Sequence, residues 1–410
     1  MNGIAFLLGL LVLSYVGTIL VGGRAIRGFG LASGAEYLVL GFVLGPQVLS
    51  FVNHSLVEAF EPVVLVGVSW LGLVLGVSYL RVGQRRVPVP RMALGIAMSA
   101  FTSAAVSAIV FFSASHFSPL PRGEVIALAA TAGIVCSETT RHSVRWVVER
   151  YGARGPLADL AADTARASAL FAAISLSVVC AWLPGAALPA FSVWQRVLVS
   201  LGLGVVLGGT ASLLLGREFR RDESWGILLG TSLLGTGAAA RLNLSPISTT
   251  FAMGLTLALV SRHRDDIKAM VTPTEKPVLL PVLLLAGANV NVVLPIPLLV
   301  FVALALATKL LARVACGSAL SLAIKPVRGS ALEFGASMLS SGALALAVAL
   351  AFGLRHPGVV ADTLLLLAYI GVLFGELLGP ASLRRALTQA GEINPEPPPA
   401  RAESSLPSRV

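Results

Sequence analysis

Residues 133–140 read Gly-Ile-Val-Cys-Ser-Glu-Thr-Thr, an apolar run that ends in four consecutive polar residues. Within a membrane, such an ending favours a helix that unwinds early, because irregular backbone at that depth must be buried in protein or line a cavity. The alternative is an ordinary helix end in the headgroup region, since Arg141 and His142 follow directly. We therefore predict a helix break at 137–140 if the surrounding chain lies in a membrane.

The composition places the chain in a membrane. Of its 410 residues, 56% are hydrophobic and 12% are charged, and the mean hydropathy is +0.86. Soluble domains carry about 25% charged residues, so this chain lacks the polar residues that a water-facing surface needs. A soluble enzyme, a secreted disulfide scaffold and a disordered chain are excluded. The three cysteines lie far apart within apolar runs, which fits no Cys-based metal site, and no cofactor is expected.

A membrane helix needs about 20 mostly apolar residues, and the chain contains many such stretches. We predict thirteen spans, at 4–22, 37–52, 61–80, 92–114, 123–140, 155–183, 194–216, 225–240, 244–261, 277–292, 296–323, 329–354 and 361–383.

Basic residues divide sharply between alternate loops. Of the 30 Lys and Arg residues, 23 fall on one side of the membrane, 4 fall on the other and 3 lie inside spans. The positive-inside rule then places the N-terminus outside and the C-terminus in the cytoplasm of the cell (inner) membrane. The net charge of +10 is explained by this topology, so nucleic acid is not expected as a partner. Residues 387–410 are rich in Pro, Glu, Ala and Ser and predict a disordered cytoplasmic tail.

Charged and polar residues inside the spans are the candidates for function, because a charge at the bilayer centre costs about 3 kcal/mol on insertion scales. Asp163 in span six is the best candidate for a carboxylate that takes up a proton or a small cation. A structural ion pair with Arg166, one turn later, is the alternative. Lys309 lies deep in span eleven, and we expect it to pair with a buried carboxylate. In span twelve, Ser340-Ser341-Gly342 predicts either a helix break or close helix packing.

Four short motifs occur in order along the chain. They are Gly41-Phe42-Val43-Leu44-Gly45-Pro46 in span two, Leu244-Ser245-Pro246-Ile247 with Phe251-Ala252-Met253-Gly254 in span nine, Leu280-Pro281 with Gly287 in span ten, and Leu378-Gly379-Pro380 in span thirteen. Together they resemble the cation:proton antiporters, nearest to the bacterial monovalent cation:proton antiporter-2 branch. The resemblance covers residues 4–386.

This resemblance implies a sodium/proton antiporter fold: an all-α polytopic membrane protein of about 13 transmembrane helices. Spans two to six and nine to thirteen would be inverted five-helix repeats, and spans five and twelve would be broken helices that cross. A homodimer is also implied. The implied domains are dimer-domain helices in 1–85 and 223–295, a core in 86–184 and 296–386, a linker helix in 185–222 and the tail in 387–410.

The match of individual residues to the family is uneven. Thr139 matches a conserved Thr, whereas Thr140 and Arg141 replace an acid or serine and a proline. Lys309 matches the basic residue that pairs with an acid in electrogenic members. Ser341-Gly342 matches the Arg-Gly of span twelve, with Ser in place of Arg.

Span six departs furthest from the family pattern, which has Asp-Asp or Asn-Asp. One register makes Asp163 the first acid, with Thr164 in place of the second, and another makes Asp163 the second acid, which binds the ion. A gapless match from Gly155 puts Ala165-Arg166 on the pair. A full pair of acids is missing in every register, and Glu138 is the candidate for the absent carboxylate.

The main hypothesis is a secondary transporter that exchanges protons for Na+ or K+ by elevator-type alternating access, and not an enzyme. Lys309 would neutralise an unoccupied acid, and Arg166 would act as a resident cation near Asp163. The ion- and proton-binding residues would be Asp163, Glu138, Thr139, Ser137 and Thr140. The alternatives are an anion carrier on the same fold and a non-transporting sensor that has lost the acid pair. The absence of a GxxxxGK[ST] motif excludes ATP hydrolysis by that motif.

Overall fold

A computed structural model describes residues 34–52, 59–80, 88–182, 191–216, 221–323, 327 and 329–393. These residues form fifteen α-helices and a 3-10 turn at Thr272–Thr274. The first eight helices are α1 Ala35–Leu44, α2 Glu61–Val77, α3 Val89–Phe117, α4 Arg122–Ser137, α5 Arg141–Tyr151, α6 Pro156–Trp182, α7 Val193–Leu214 and α8 Arg221–Arg241. The others are α9 Pro246–Val260, α10 Arg264–Val271, α11 Glu275–Ala288, α12 Ile296–Ala323, α13 Ala331–Ser337, α14 Ala343–Gly353 and α15 Val359–Gln389.

Within the described part of the chain, six helical segments are long and apolar enough to cross a membrane. They are Val89–Phe117, Pro156–Trp182, Val193–Leu214, Arg264–Ala288, Ile296–Leu322 and Val359–Gln389. Four shorter apolar helices accompany them, namely α1, α2, α9 and α14. The prediction of a multi-pass, all-helical membrane protein is therefore confirmed. Twelve of the thirteen predicted spans coincide with described helices, and the first, at 4–22, lies outside the described residues.

Two predicted spans differ from single continuous helices. Span five ends at Ser137, and after three extended residues the chain starts a second helix, α5, in a segment that sequence alone places in a loop. Span twelve divides into α13 and α14 around residues 338–342. The described part of the chain therefore contains two interrupted helices.

The described helices pack into two bundles. One contains α3, α4, α5, α6, α12, α13, α14 and α15, and includes both interrupted helices. The other contains α1, α2, α7, α8, α9, α10 and α11. The bundles meet where α6 packs on α7 and α9, and where α14 packs on α2 and α11.

Glycines bring two helix pairs of the second bundle into backbone contact. A Cβ on Gly254 of α9 would lie 2.3 Å from the carbonyl oxygen of Leu73 on α2, and a Cβ on Gly287 of α11 would lie 2.1 Å from that of Leu38 on α1. Only glycine allows helices this close. In the inverted-repeat order that the family resemblance implies, spans two and three would correspond to spans nine and ten, so the pairs α2–α9 and α11–α1 would be equivalent by symmetry.

The last helix is longer than the sequence indicates. We place the start of the tail at residue 387, but α15 continues to Gln389 and includes Pro380. Just beyond it, the carboxylate of Glu392 accepts the backbone N–H groups of Leu157 (2.7 Å) and Ala158 (2.8 Å) at the start of α6. A carboxylate at a helix N-terminus is stabilising, so residues up to Ile393 belong to the folded protein. The rest of the predicted tail lies outside the described residues.

Candidate ion-binding site

The two interrupted helices meet at their breaks. Glu138–Thr140 is extended, and the backbone N–H of Thr140 donates to the carbonyl oxygen of Ser340 at 2.7 Å. The hydroxyl of Thr139 donates to the carbonyl oxygen of Met338 at 2.9 Å. The structure thus places Ser340, Ser341 and Gly342 opposite residues 138–140. Each segment supplies hydrogen-bond partners for backbone groups that the helix break in the other segment leaves unpaired.

Charged side chains lie at the half-helix ends that attract them. Glu138, 4% exposed, accepts the N–H of Gly342 through Oε2 at 2.7 Å, at the N-terminus of α14. The Arg313 guanidinium donates to the carbonyl oxygen of Ser137 at the C-terminus of α4. A helix carries partial positive charge at its N-terminus and negative charge at its C-terminus, so both contacts are favourable. Both charged groups therefore help to hold together the place where the two helix breaks meet, which we call the crossing.

Two buried cations of α12 face the crossing. Lys309 is 2% exposed and Arg313, one turn later, is fully buried. The ammonium of Lys309 donates to the hydroxyl of Ser341, so its contact is a hydroxyl where we expected a carboxylate. The acid at this break is Glu138, whose carboxylate contacts Gly342, the residue after Ser341. Uncompensated buried charges are strongly unfavourable, and the single negative charge of Glu138 offsets these two in part.

A small cavity of about 20 Å³ lies beside the crossing, and we call it the site cavity. Its polar lining includes Glu138, Thr139 and Thr140. Its apolar walls come from α2, α6 and α14, through Val68, Leu71, Leu75, Ala165, Ala169, Ala343, Leu344 and Ala347. A volume of about 10–15 Å³ on this measure holds one water, so the site cavity has room for a single particle of that size.

Ser168 of α6 completes the attachment of Thr139, and sequence reasoning missed it. Its hydroxyl accepts the N–H of Thr139 at 3.0 Å and lies 3.2 Å from the carbonyl oxygen of the same residue. Its contact with Thr139 was not predicted, because the hydroxyl of a serine in an apolar helix usually bonds only to the backbone of its own helix. Ser137 does so, donating to the carbonyl oxygen of Ile134.

Asp163 is buried at 2% exposure but is held by two guanidinium groups. Arg166 Nη1 lies 2.8 Å from its Oδ1, and Arg91 Nη1 lies 3.5 Å from its Oδ2. From α6, the site cavity is lined by Ala165 and Ala169, and its lining does not include Asp163. The structure therefore brings Glu138, Thr139 and Thr140 together and places Asp163 in a separate charge cluster with Arg166.

A larger cavity of about 640 Å³, which we call the basic vestibule, adjoins the site cavity. Its charged lining comprises Arg141, Arg145, Arg154, Arg166, Lys268 and His142 against Glu149, Asp159 and Glu275. Arg141, His142 and Glu275 also line the site cavity. Sequence analysis placed Glu275 in a loop, and only the fold shows that it faces Arg141.

A third cavity, of about 950 Å³, lies at the opposite ends of α4 and α14. Its lining includes Glu124, Trp182, Phe352, Arg355 and His356. His356 lies in the loop before α15, where burial and the neighbouring Arg355 hold the pKa of its imidazole below the ordinary value. Large cavities thus open toward opposite ends of the interrupted helices. Among the described residues, no group of three or more His, Cys, Asp or Glu could hold a metal ion.

Comparison with solved structures identifies the fold. The chain is similar to the sodium proton antiporter MjNhaP1 from Methanocaldococcus jannaschii at pH 8, with 15% identity, a TM-score of 0.69, and coverage of 96% of this chain and 99% of the other. This chain has the sodium/proton antiporter fold. A second structure of MjNhaP1, from an electron-microscopy map, matches with 17% identity, the same TM-score and the same coverage.

The sodium/proton antiporter fold confirms, at the level of architecture, the resemblance drawn from four short motifs. At 15–17% identity, the likeness establishes the fold and leaves the activity to be argued from the site. No protein-family model and no curated protein matches the sequence.

Proposed function

We propose that the protein is a secondary transporter that exchanges protons for a monovalent cation, Na+ or K+, at the site cavity. The observation that carries the proposal is the buried carboxylate of Glu138 on a cavity large enough for one ion, at the crossing of two interrupted helices. The fold adds support, since the similar MjNhaP1 is a sodium proton antiporter.

Glu138 is a better candidate than Asp163 for the carboxylate that binds the ion. Both oxygens of Asp163 face guanidinium groups, which already occupy the place of a cation. Glu138 has one oxygen on the N–H of Gly342 and lines the site cavity. A carboxylate in this position binds either a proton or a cation, and this competition couples the two fluxes.

Oxygen ligands for the cation are available around Glu138. Thr139 donates its hydroxyl proton to Met338, and Ser137 donates its own to Ile134. A hydroxyl that donates elsewhere keeps lone pairs for a hard cation, which prefers oxygen ligands. Thr139 and Thr140 line the site cavity, so they are the first ligands to test, and Ser137 lies one residue before Glu138.

The two bundles support alternating access of the elevator type. The interrupted helices, with Glu138, belong to the bundle of α3–α6 and α12–α15, which we propose moves as the core. The bundle of α1, α2 and α8–α11 would stay fixed in a homodimer, with α7 as the linker. With the N-terminus outside, as the distribution of basic residues predicts, the basic vestibule would face the cytoplasm and the 950 Å³ cavity would face outward.

An anion carrier on the same fold is the second candidate. The observation that favours it is the lining of the basic vestibule, with five Arg and Lys side chains and a His against three acids. Lys309 and Arg313 add two buried cations beyond the site. Such a transporter would carry an anion driven by the proton gradient, without dependence on Na+ or K+.

The test uses purified full-length protein in liposomes that contain a pH-sensitive dye, with pulses of Na+, K+ or Li+. We expect proton flux that depends on Na+ or K+ in the wild type and is abolished by Glu138→Gln. Asp163→Asn is the matched control, because it neutralises another buried carboxylate outside the site cavity.

Each outcome has a defined meaning. Flux that survives Glu138→Gln but not Asp163→Asn would show that Asp163 binds the ion and would overturn the assignment to Glu138. Proton flux with organic or inorganic anions alone would favour the anion carrier. No flux under any of these conditions would favour a non-transporting sensor.

A further inference from the structure

Three side chains stand between the basic vestibule and the site cavity. Arg141 and His142 at the start of α5 both contact Oε1 of Glu275 on α11, through Nη2 at 2.6 Å and Nε2 at 3.1 Å. All three residues line both cavities. Their side chains are 19%, 20% and 9% exposed, respectively. These three side chains are the lining that the two cavities share, so a particle that passes between the cavities through this lining must displace the contact.

The contact joins the two bundles. On one side, α5 packs on α6 and α15, in the bundle that holds the interrupted helices. On the other side, α11 is fixed against α1 by the close approach at Gly287. Sliding of one bundle along the other therefore separates Glu275 from Arg141 and His142.

The contact is more deeply buried than an ordinary surface ion pair. Arg145 and Glu149 also line the basic vestibule, but their side chains are 65% and 62% exposed, and such pairs contribute little. Glu275 is largely buried, so removing its charge leaves Arg141 without a partner in a poorly solvated place. The two pairs form a matched comparison within one cavity.

We propose that Glu275, held by Arg141 and His142, is the vestibule-side gate of the site cavity. The gate is closed in this structure and opens when the contact breaks. The proposal rests on the proposed function in one respect, namely that the site cavity is where the ion binds. It adds a functional residue of the second bundle to a site otherwise built from the first.

The test measures access to the site cavity with a thiol reagent. Ala169→Cys places a thiol on the cavity wall, in full-length protein whose native Cys136, Cys180 and Cys316 are replaced by Ala. Purified protein in detergent is treated with methyl methanethiosulfonate, a small and uncharged thiol reagent. The rate of modification is compared with and without Glu275→Gln, and Glu149→Gln is the matched control.

We expect Glu275→Gln to raise the modification rate by about tenfold and Glu149→Gln to leave it within about twofold. Equal rates in the two variants would overturn the gate. If Glu275→Gln does not yield folded protein, Arg141→Gln removes the other partner and has the same expected result. An unchanged rate in Arg141→Gln would also overturn the gate.

The measurement needs no ion gradient, so its failure is distinct from failure of the transport proposal. Faster modification in a protein without cation-dependent flux would keep the gate and overturn the transport proposal. Cation-dependent flux with equal modification rates would keep the transport proposal and overturn the gate.

Discussion

Glu138 and Gly342 join the two interrupted helices directly, although they are 204 positions apart in the chain. The carboxylate of Glu138 accepts the N–H of Gly342 at 2.7 Å, at the start of α14. This bond stabilises a helix terminus and also places the carboxylate on the site cavity. One residue therefore links the stability of the crossing to the proposed ion site, and the two roles can be separated by substitution.

Glu138→Ala should destabilise the protein far more than Glu138→Gln. Both substitutions remove the charge that faces Lys309 and Arg313, but only the alanine also leaves the N–H of Gly342 without an acceptor, which we expect to cost about a further 2 kcal/mol. The glutamine keeps an oxygen that can accept from Gly342 and has nearly the same volume. Thermal unfolding of the purified variants in detergent measures the difference. Equal melting temperatures would show that the Glu138–Gly342 bond contributes little.

Lys309 and Glu138 should be energetically coupled. Lys309 binds Ser341, and Glu138 binds the next residue, Gly342. We expect Lys309→Met and Glu138→Gln each to lower stability, and the double variant to lose about 1 kcal/mol less than the sum of the two. Lys309→Met combined with Glu149→Gln on exposed α5 serves as the control pair and should be additive. Additivity in both pairs would refute the coupling.

Asp163→Asn should retain transport within about twofold of the wild-type rate while lowering stability. The reason is that Asp163 is held by Arg166 and Arg91, away from the site cavity. Adding Arg166→Gln should recover part of the lost stability, because it removes a buried cation that has lost the carboxylate of Asp163. The liposome assay and thermal unfolding give the two readouts. A stable Asp163→Asn protein with no flux would contradict a purely structural role for Asp163.

Gly254→Ala should prevent normal packing of α9 on α2, because the new Cβ would lie 2.3 Å from the carbonyl oxygen of Leu73. Gly230→Ala on α8 is the matched control, since nothing lies within 4 Å of a Cβ there. Alanine is favoured over glycine in a helix by about 1 kcal/mol, so the control should be neutral or stabilising. Yield of monodisperse protein and melting temperature provide the comparison, and similar values for both variants would argue against the close approach.

Glu392→Ala should lower stability by about 1 kcal/mol, the usual effect of losing a helix cap. The substitution leaves the N–H groups of Leu157 and Ala158 without their acceptor. A chain that ends after Ile393 keeps the cap and should melt at the wild-type temperature, whereas a chain that ends after Gly391 should match Glu392→Ala. If the two truncations melt alike, Glu392 does not fasten α6.

Much of the architecture is readable from the sequence. Long apolar segments and alternating basic loops give the helices, and the polar run from Ser137 to Thr140 marks the first break. Small residues at Ser340-Ser341-Gly342 permit a second break without requiring it, because they also suit close packing. That ambiguity is resolved only by the partner segment, since Thr140 bonds to Ser340 across the crossing.

The site is less predictable because its contacts join distant parts of the chain. Asp163 is the most conspicuous intramembrane acid in the sequence, yet Arg91 reaches it from another helix. Ser168 and Glu275 were missed for the same reason, since their partners lie 29 and 134 positions away. The transported ion and the roles of individual residues remain predictions.

The basic vestibule has a consequence for the rate at which cations arrive. Its excess of positive side chains repels Na+ and K+, so their local concentration is lower than in bulk solution. Dissolved salt screens such repulsion over a Debye length of about 10 Å at 0.1 M ionic strength. Raising ionic strength with an inert salt should therefore speed cation entry from this side at a fixed Na+ concentration and slow the entry of an anion.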